Sequence, residues 1–266
     1  MIGYSGDSNI NVLIYGAPGS GKTHLAAEIA KEKMTLLYDI DLGASTINKF
    51  PQEIKDNLVI LQHTEFADLN KIYQMLLKNN TAEKWNQFFA KNKIQVKIDK
   101  PFEAVIIDSL SELQRQMERE LSAPPLSNKM SSIQNIKPLR IQDWGAISDL
   151  TESVVADAFG RLPLIFVATA HEQMIENENM DEVFGTPKLR GKLAFDIGKH
   201  FDLMGRLTTA KTGQRVLYTK PEKRWQAKSR EKVDGIIVNP NLNKIIKGEC
   251  TNVNQIRFFK CNRRAV

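Results

Sequence analysis

Cysteine is almost missing from this chain: Cys250 and Cys261 are its two examples in 266 residues, and no histidine lies near either in sequence. That excludes a disulfide framework and does not supply the ligand set of a structural zinc site, so two reduced thiols are expected. Long apolar runs are missing too. None approaches the roughly 18 residues that a membrane-spanning helix requires, so no membrane partner is expected. The opening MIGYSGDSNI has neither the basic start nor the apolar stretch of a secretion signal, and a cytoplasmic protein is the expectation. Internal repeats, heptads and low-complexity tracts are lacking as well. Acids are scarce at one end: between positions 240 and 266 stand Lys244, Lys247, Arg257, Lys260, Arg263 and Arg264 against Glu249 alone.

What is present suits a globular domain. Hydrophobic residues make up 42% and charged residues 26%, enough for a core that needs no covalent staples. The length fits one large α/β domain with an appendage, here a core over 1–239 and a basic tail over 240–266. The net charge is +6, and the tail carries most of it. With Phe258 and Phe259 among its cations, the tail can contact nucleic acid through phosphates and stacking, dock on a neighbouring subunit, or stay solvated.

Short apolar runs alternate with helical patterns along the chain. Residues 11–15 (NVLIY), 35–40 (TLLYDI), 58–61, 104–108 (AVIID) and 164–169 (LIFVAT) read as buried strands. Helices are expected over 23–33, 66–78, 109–121 and 141–159. Residues 203–210 and 216–219 can pair as a hairpin across 211–215, and 235–238 read as a last strand. The stretch 79–100, with Trp85, Phe88 and Phe89, has no clear pattern. The stretch 122–138, with Pro124 and Pro125, reads as a loop, and 176–192 as a loop or hairpin. The alternation implies a mostly parallel sheet with helices on both faces.

One motif is specific. GAPGSGKT, which is Gly16, Ala17, Pro18, Gly19, Ser20, Gly21, Lys22 and Thr23, fits G-x-x-x-x-G-K-[ST] completely, with a strand before it and a helix after. Glycines let the backbone wrap a phosphate chain with its N–H groups inward. Lys22 reaches the β- and γ-phosphates, Thr23 ligates Mg²⁺, and His24 adjoins the same site. ATP and Mg²⁺ are therefore the expected cofactors. Asp108, ending AVIID, is placed at the tip of a strand beside the P-loop strand, where it holds Mg²⁺ through water, or else caps the next helix. Within YDID, Asp41 is the first choice and Asp39 the second for polarising the attacking water, against a plain turn or cap role. In TAHE, His171 or Thr169 can sense the γ-phosphate. In KRWQAKSR, Lys228 or Arg230 can act as a finger on a neighbouring subunit's γ-phosphate, bind DNA, or stay solvated.

Together VLIYGAPGSGKTHLAA, LLYDIDLG, VIIDSLSEL, LIFVATAHEQ and FDLMGRL resemble, in order and spacing, the RecA-like ATPases carried by bacteriophages, over roughly residues 11–239. The resemblance implies a single RecA-like P-loop core with a short basic C-terminal extension. It makes Lys22 and Thr23 the phosphate and Mg²⁺ ligands, Asp108 the acid of the Walker B strand and His171 the strand-end sensor. Recombinases of this type carry Glu where this chain has Asp41, and typically Gln where it has His171. The resemblance further implies a ring or filament of identical subunits, single-stranded DNA as partner, a role in recombination or annealing, and the cytoplasm of a bacterial host if phage-encoded. DNA-facing loops would fall near 122–140, with Lys129, Lys137 and Arg140, and near 174–192, with Lys188, Arg190 and Lys192.

Two other classes stand beside this reading. One is an ATPase that loads or remodels a protein partner in replication or recombination. The other is a small-molecule kinase, which would need an arginine-bearing lid that the sequence does not display. Asn128 and Lys129 continue with Met130 and Ser131, not the N-K-x-D of a GTPase, so ATP is preferred over GTP.

Overall fold

The computed structural model describes residues 10–43, 49–62, 66–122, 139–177, 182–230 and 233–249. Its frame is one sheet whose main path runs β10-β8-β7-β1-β5-β4-β2-β3. The strands are β1 (Asn11–Gly16), β2 (Thr35–Asp39), β3 (Leu58–Gln62), β4 (Ala104–Asp108), β5 (Ile165–Asn177), β6 (Glu182–Pro187), β7 (Leu203–Thr209), β8 (Arg215–Tyr218), β9 (Lys228–Ser229) and β10 (Ile236–Val238). The central strands, β7, β1, β5, β4, β2 and β3, are parallel neighbours. β8, β9 and β10 add antiparallel pairings at one side, and β6 returns antiparallel along the far half of β5.

Period-two alternation divides the core. Leu13, Tyr15, Leu36, Tyr38, Val105, Ile107, Phe166 and Ala168 point into one apolar cluster. Their neighbours Val12, Ile14, Leu37, Ala104, Ile106, Ile165 and Val167 point into another. Both kinds of position are apolar because both faces are covered, which is why these strands read as unbroken hydrophobic runs. On the first face lie α3 (Phe66–Lys78), α4 (Ala82–Lys91), α5 (Leu110–Ser122) and α6 (Ile141–Ser153). The second face carries α1 (Lys22–Ala27), continued by a 3-10 turn over Glu28–Lys31, and α8 (Leu242–Ile246). Two short helices complete the set: α2 (Gln52–Lys55) and α7 (Leu193–Asp196).

The unassigned stretch at 79–100 is structural. Thr81 caps α4 by accepting from Lys84 N–H. Trp85 and Phe89 are fully buried and meet Phe88 and Phe102 in an aromatic cluster. The Trp85 indole N–H donates to Asn80, which removes the cost of burying it. The expected helix over 141–159 is α-helical only to Ser153. It then widens into a π turn over Val154–Ala158 and tightens into a 3-10 turn over Phe159–Arg161.

β5 runs well past the apolar segment LIFVAT because β6 pairs with its polar half, so 176–192 begins as a hairpin. Beyond position 239, the expected start of the tail, α8 is packed into the body. Leu242 and Ile245 are fully buried, and Asn243 Nδ2 donates to the Glu28 carbonyl at 2.7 Å. The remaining tail residues 250–266, with both cysteines, Phe258 and Phe259, lie outside the described residues, as does most of the 122–138 loop. No helix among the described residues is long and apolar enough to cross a membrane.

Candidate nucleotide site

β1 ends at Gly16 in the sheet centre, and α1 begins at Lys22, so the intervening turn sits at the carboxyl edge of the parallel strands. Two glycines are needed there for separate reasons. A Cβ on Gly16 would collide with the Leu207 carbonyl oxygen of β7. Gly21 has φ of +95°, the left-handed region, as it turns the chain into α1. Lys22 is buried, and its ammonium donates to the carbonyls of Gly16 at 3.1 Å and Ala17 at 3.0 Å, across the mouth of the loop. Burial pulls its pKa down, opposed by Asp108, Asp41 and Glu172. His24 stacks obliquely on Phe50 with ring centroids 5.3 Å apart.

Thr23 Oγ1 donates to Asp108 Oδ2 at 2.6 Å, and Thr169 donates to the other oxygen, Oδ1. Asp108 is thus held from α1 on one oxygen and from β5 on the other. Its strand is not the neighbour of β1, as the sequence reading placed it: β5 lies between them. The intervening strand supplies Thr169, fully buried, at the point where it can orient the Asp108 carboxylate. Burial pushes the Asp108 carboxyl up, with Asp41 adding to the shift and Thr169, Thr23 and Lys22 opposing it.

Asp39 and Asp41 separate in role. Asp39 closes β2 directly beside Asp108 in the strand register. It accepts from Gly43 N–H at 3.2 Å through Oδ1, while its Oδ2 is buried without a hydrogen-bond partner among the described residues. Asp41 lies past the strand. Its Oδ1 accepts from Ser109 at 3.1 Å, and its Oδ2 faces His171 Nε2 at 3.4 Å. Burial pushes Asp41 up, but His171, Ser109 and Lys22 together overcome this and hold it below the usual carboxylate range.

His171 is placed by its backbone N–H, which donates to Ser111 Oγ at 3.0 Å. Glu112, in the first turn of α5, completes a group with Asp41 and His171 whose ligand atoms all lie within 4.8 Å of one another. The sequence reading missed Glu112. Its signal was an acid four residues after Asp108, one helical turn along, which returns it to the same edge.

Three carboxylates, Asp39, Asp41 and Asp108, converge with Lys22 as the cation whose charge reaches Asp41 and Asp108. The orphaned Asp39 oxygen and the upward pressure on Asp108 are what a site short of positive charge produces. A hydrated divalent cation at Thr23 and Asp108 would relieve both, and the Gly16–Gly21 turn has the conformation of a phosphate cradle. The residues therefore fit Mg²⁺ and a nucleoside triphosphate.

A family model described as "AAA domain" matches residues 8–231. The chain belongs to the AAA-domain family. No curated protein matches it significantly. Among solved structures, this AAA-domain chain is similar to the RadB recombinase, with 15% identity and a TM-score of 0.45 over 87% of this chain and 86% of that one. It is also similar to the flagellar accessory protein FlaH from Methanocaldococcus jannaschii, with 12% identity and a TM-score of 0.42 over 87% and 84%.

Lys228 and Arg230 are not brought to the phosphate loop of their own chain. Lys228, on β9, donates to the Gly198 carbonyl at 2.9 Å. Arg230 pairs with Asp202 at 3.0 Å, and Asp202 in turn accepts from the Asn11 N–H at the opposite end of β1. Arg190, expected to face DNA, forks onto Glu118 and lies over the Trp144 ring at 4.9 Å. It braces α5 and α6 in this AAA-domain chain. Lys129 and Lys137 lie outside the described residues.

The charge crowding has a stability consequence. Burial, with added repulsion from Asp108 and Asp41, pushes Asp39 up to about 6. The folded state holds this proton more tightly than the unfolded chain, where Asp titrates near ~3.9. Stability is therefore lost as pH rises between those values. Asp39→Asn is expected to stabilise the nucleotide-free protein by about 2 to 3 kcal/mol at pH 7.5, and by little near pH 4. Urea unfolding of both proteins at the two pH values checks this, and an equal difference at both would contradict it.

Proposed function

We propose that this chain binds ATP with Mg²⁺ at residues 16–24 and hydrolyses it, and that the ATP state assembles subunits that hold single-stranded DNA. The observation that carries the ATPase half is the hydrogen-bonded chain Thr23–Asp108–Thr169 beside Lys22, with the Asp41–His171 pair close by. Thr23 and Asp108 would hold the cation, which supplies charge neutralisation of the phosphates. Lys22 orients the β- and γ-phosphates. Asp41, kept ionised, is the group that accepts a proton from attacking water. His171 reports on that event from the end of β5.

The DNA half rests on the resemblance to phage RecA-like ATPases and on the basic composition of residues 240–266. A ring or filament in the cytoplasm of the host, acting in recombination or annealing, is the setting this implies. Fluorescence anisotropy with single-stranded DNA, with and without a non-hydrolysable ATP analogue and Mg²⁺, tests it across a salt series. Binding is expected to strengthen with the analogue and to weaken steeply with salt, since phosphate contacts release counterions. Absence of binding at low salt in both states would replace DNA with a protein partner and leave the ATPase half standing.

A further inference from the structure

The flank of the phosphate loop turned away from Asp108 holds one more charged group. Arg215 opens β8, pairs with Thr209 of β7, and is fixed at its backbone by Asn239 N–H, which donates to its carbonyl at 2.7 Å. Its side chain reaches back onto Gly21. A Cβ built on that glycine would stand 2.6 Å from both Nε and Cζ of Arg215, and 3.0 Å from Nη2. The guanidinium is therefore seated on the backbone of the loop, in space that a side chain at position 21 would take.

Arg215 is partly buried, and no ion pair or side-chain hydrogen bond engages it among the described residues. Among the described residues, Lys22 is engaged by the loop carbonyls and Arg206 by Glu172. A cation partly removed from water without a direct ion pair carries a desolvation cost, and an arriving anion reduces it. The field of Arg215 already acts on this flank. It helps draw the Glu28 carboxyl down against burial, after Lys31 and the Leu242 N–H.

Topology says which part of a nucleotide this group meets. Asp108, Thr169 and Asp39 stand on β4, β5 and β2, all to one side of β1. Arg215 stands on β8, to the other side, across β7. A triphosphate whose γ end faces the carboxylates must carry its α-phosphate and nucleoside toward β7 and β8.

We propose that Arg215 is a nucleotide-binding residue supplied in cis, its guanidinium contacting the α-phosphate and nucleoside end of a nucleoside triphosphate. Guanidinium suits that end, since it can fork onto phosphate oxygens and lie against a flat base. The inference rests on the nucleotide reading above, and it adds a binding contact outside the GAPGSGKT motif. It also gives a reason for glycine at position 21 beyond its positive φ, because any side chain there would displace Arg215.

Titration with mant-ATP and mant-ADP, each with Mg²⁺, tests it on the full chain, comparing wild type with Arg215→Ala and Arg215→Gln. The expected result is that Kd rises roughly ten- to a hundredfold for both nucleotides, with their ratio unchanged, as for loss of a charge-assisted contact. Arg215→Lys should recover part of the loss. Unchanged Kd, or a loss confined to mant-ATP, would overturn the assignment, the latter by placing the group at the γ-phosphate. Should Arg215→Ala fail to fold by thermal melting, the glutamine variant keeps the first three carbons and a polar end without the charge, and carries the comparison. Wild type that binds neither nucleotide sinks the nucleotide reading, and this proposal with it. Wild type that binds both, beside variants that bind equally well, sinks the Arg215 assignment alone.

Discussion

Lys22→Ala is expected to weaken Mg²⁺–ATP binding at least about a hundredfold. Lys22 offers the buried ammonium at the loop mouth, and charge-assisted contacts to two phosphates are each worth roughly 1.5 to 3 kcal/mol. The variant also strips the carboxylate cluster of its internal cation, so its melting temperature must be read beside its affinity. Calorimetric titration with ATP and Mg²⁺ decides the matter. Unchanged affinity in a folded variant would sink the P-loop assignment. Because burial lowers the Lys22 pKa, affinity in the wild type should also fall at a less alkaline pH than an ordinary lysine would dictate.

Asp41→Asn should leave that affinity nearly intact and cut turnover by about 10² to 10⁴, the usual range for loss of a positioned base. The carboxylate is held ionised by His171 and Ser109, with Lys22 adding to the effect. A steady-state phosphate-release assay separates the two effects. The resemblance to phage RecA-like ATPases sets Asp41 where recombinases carry the longer Glu, so a low basal rate in the wild type is expected. Glu112→Gln serves as the internal comparison, since Glu112 shares the cluster with Asp41 and His171. Normal turnover in Asp41→Asn beside a collapse in Glu112→Gln would transfer the base role across the cluster to α5.

The parts of this architecture that follow short-range rules were readable in the sequence. β1, β2, β4 and the helix at Phe66–Lys78 fall where apolar run and helical spacing put them, and the motif at 16–23 sits between strand and helix as it must. Thr23 and Asp108 do meet. What could not be read was lateral order. Nothing local in AVIID or LIFVAT says that β5 intrudes between β1 and β4, because both runs are equally apolar and both are buried on two faces. The far half of β5 was also hidden, since HEQMIEN has no hydrophobic alternation and becomes strand through pairing with β6. Trp85 and Phe89 looked ambiguous for the opposite reason: two aromatics among lysines and asparagines carry the burial of a whole helix. Glu112 and Arg215 come from other segments, one by a helical turn after Asp108 and one from across β7, so no motif joins them to Gly21 or Asp41.

The overrun of β5 has a mechanical meaning. The strand that carries Thr169 and His171 continues unbroken to Asn177, roughly 20 Å of extended chain beyond His171 at the usual rise per residue. Near its root it is clamped, for Glu172 binds Arg206, Arg206 lies 3.4 Å over Trp225, and Trp225 fills the space above Gly185 on the returning strand. A two-stranded ribbon rooted beside Lys22 and Asp108 has the geometry of a lever arm. A tilt of about 10° at the clamp would sweep its far end by roughly 3 to 4 Å, given that length. That would turn a change of one phosphate oxygen into a displacement large enough for a neighbouring molecule to feel.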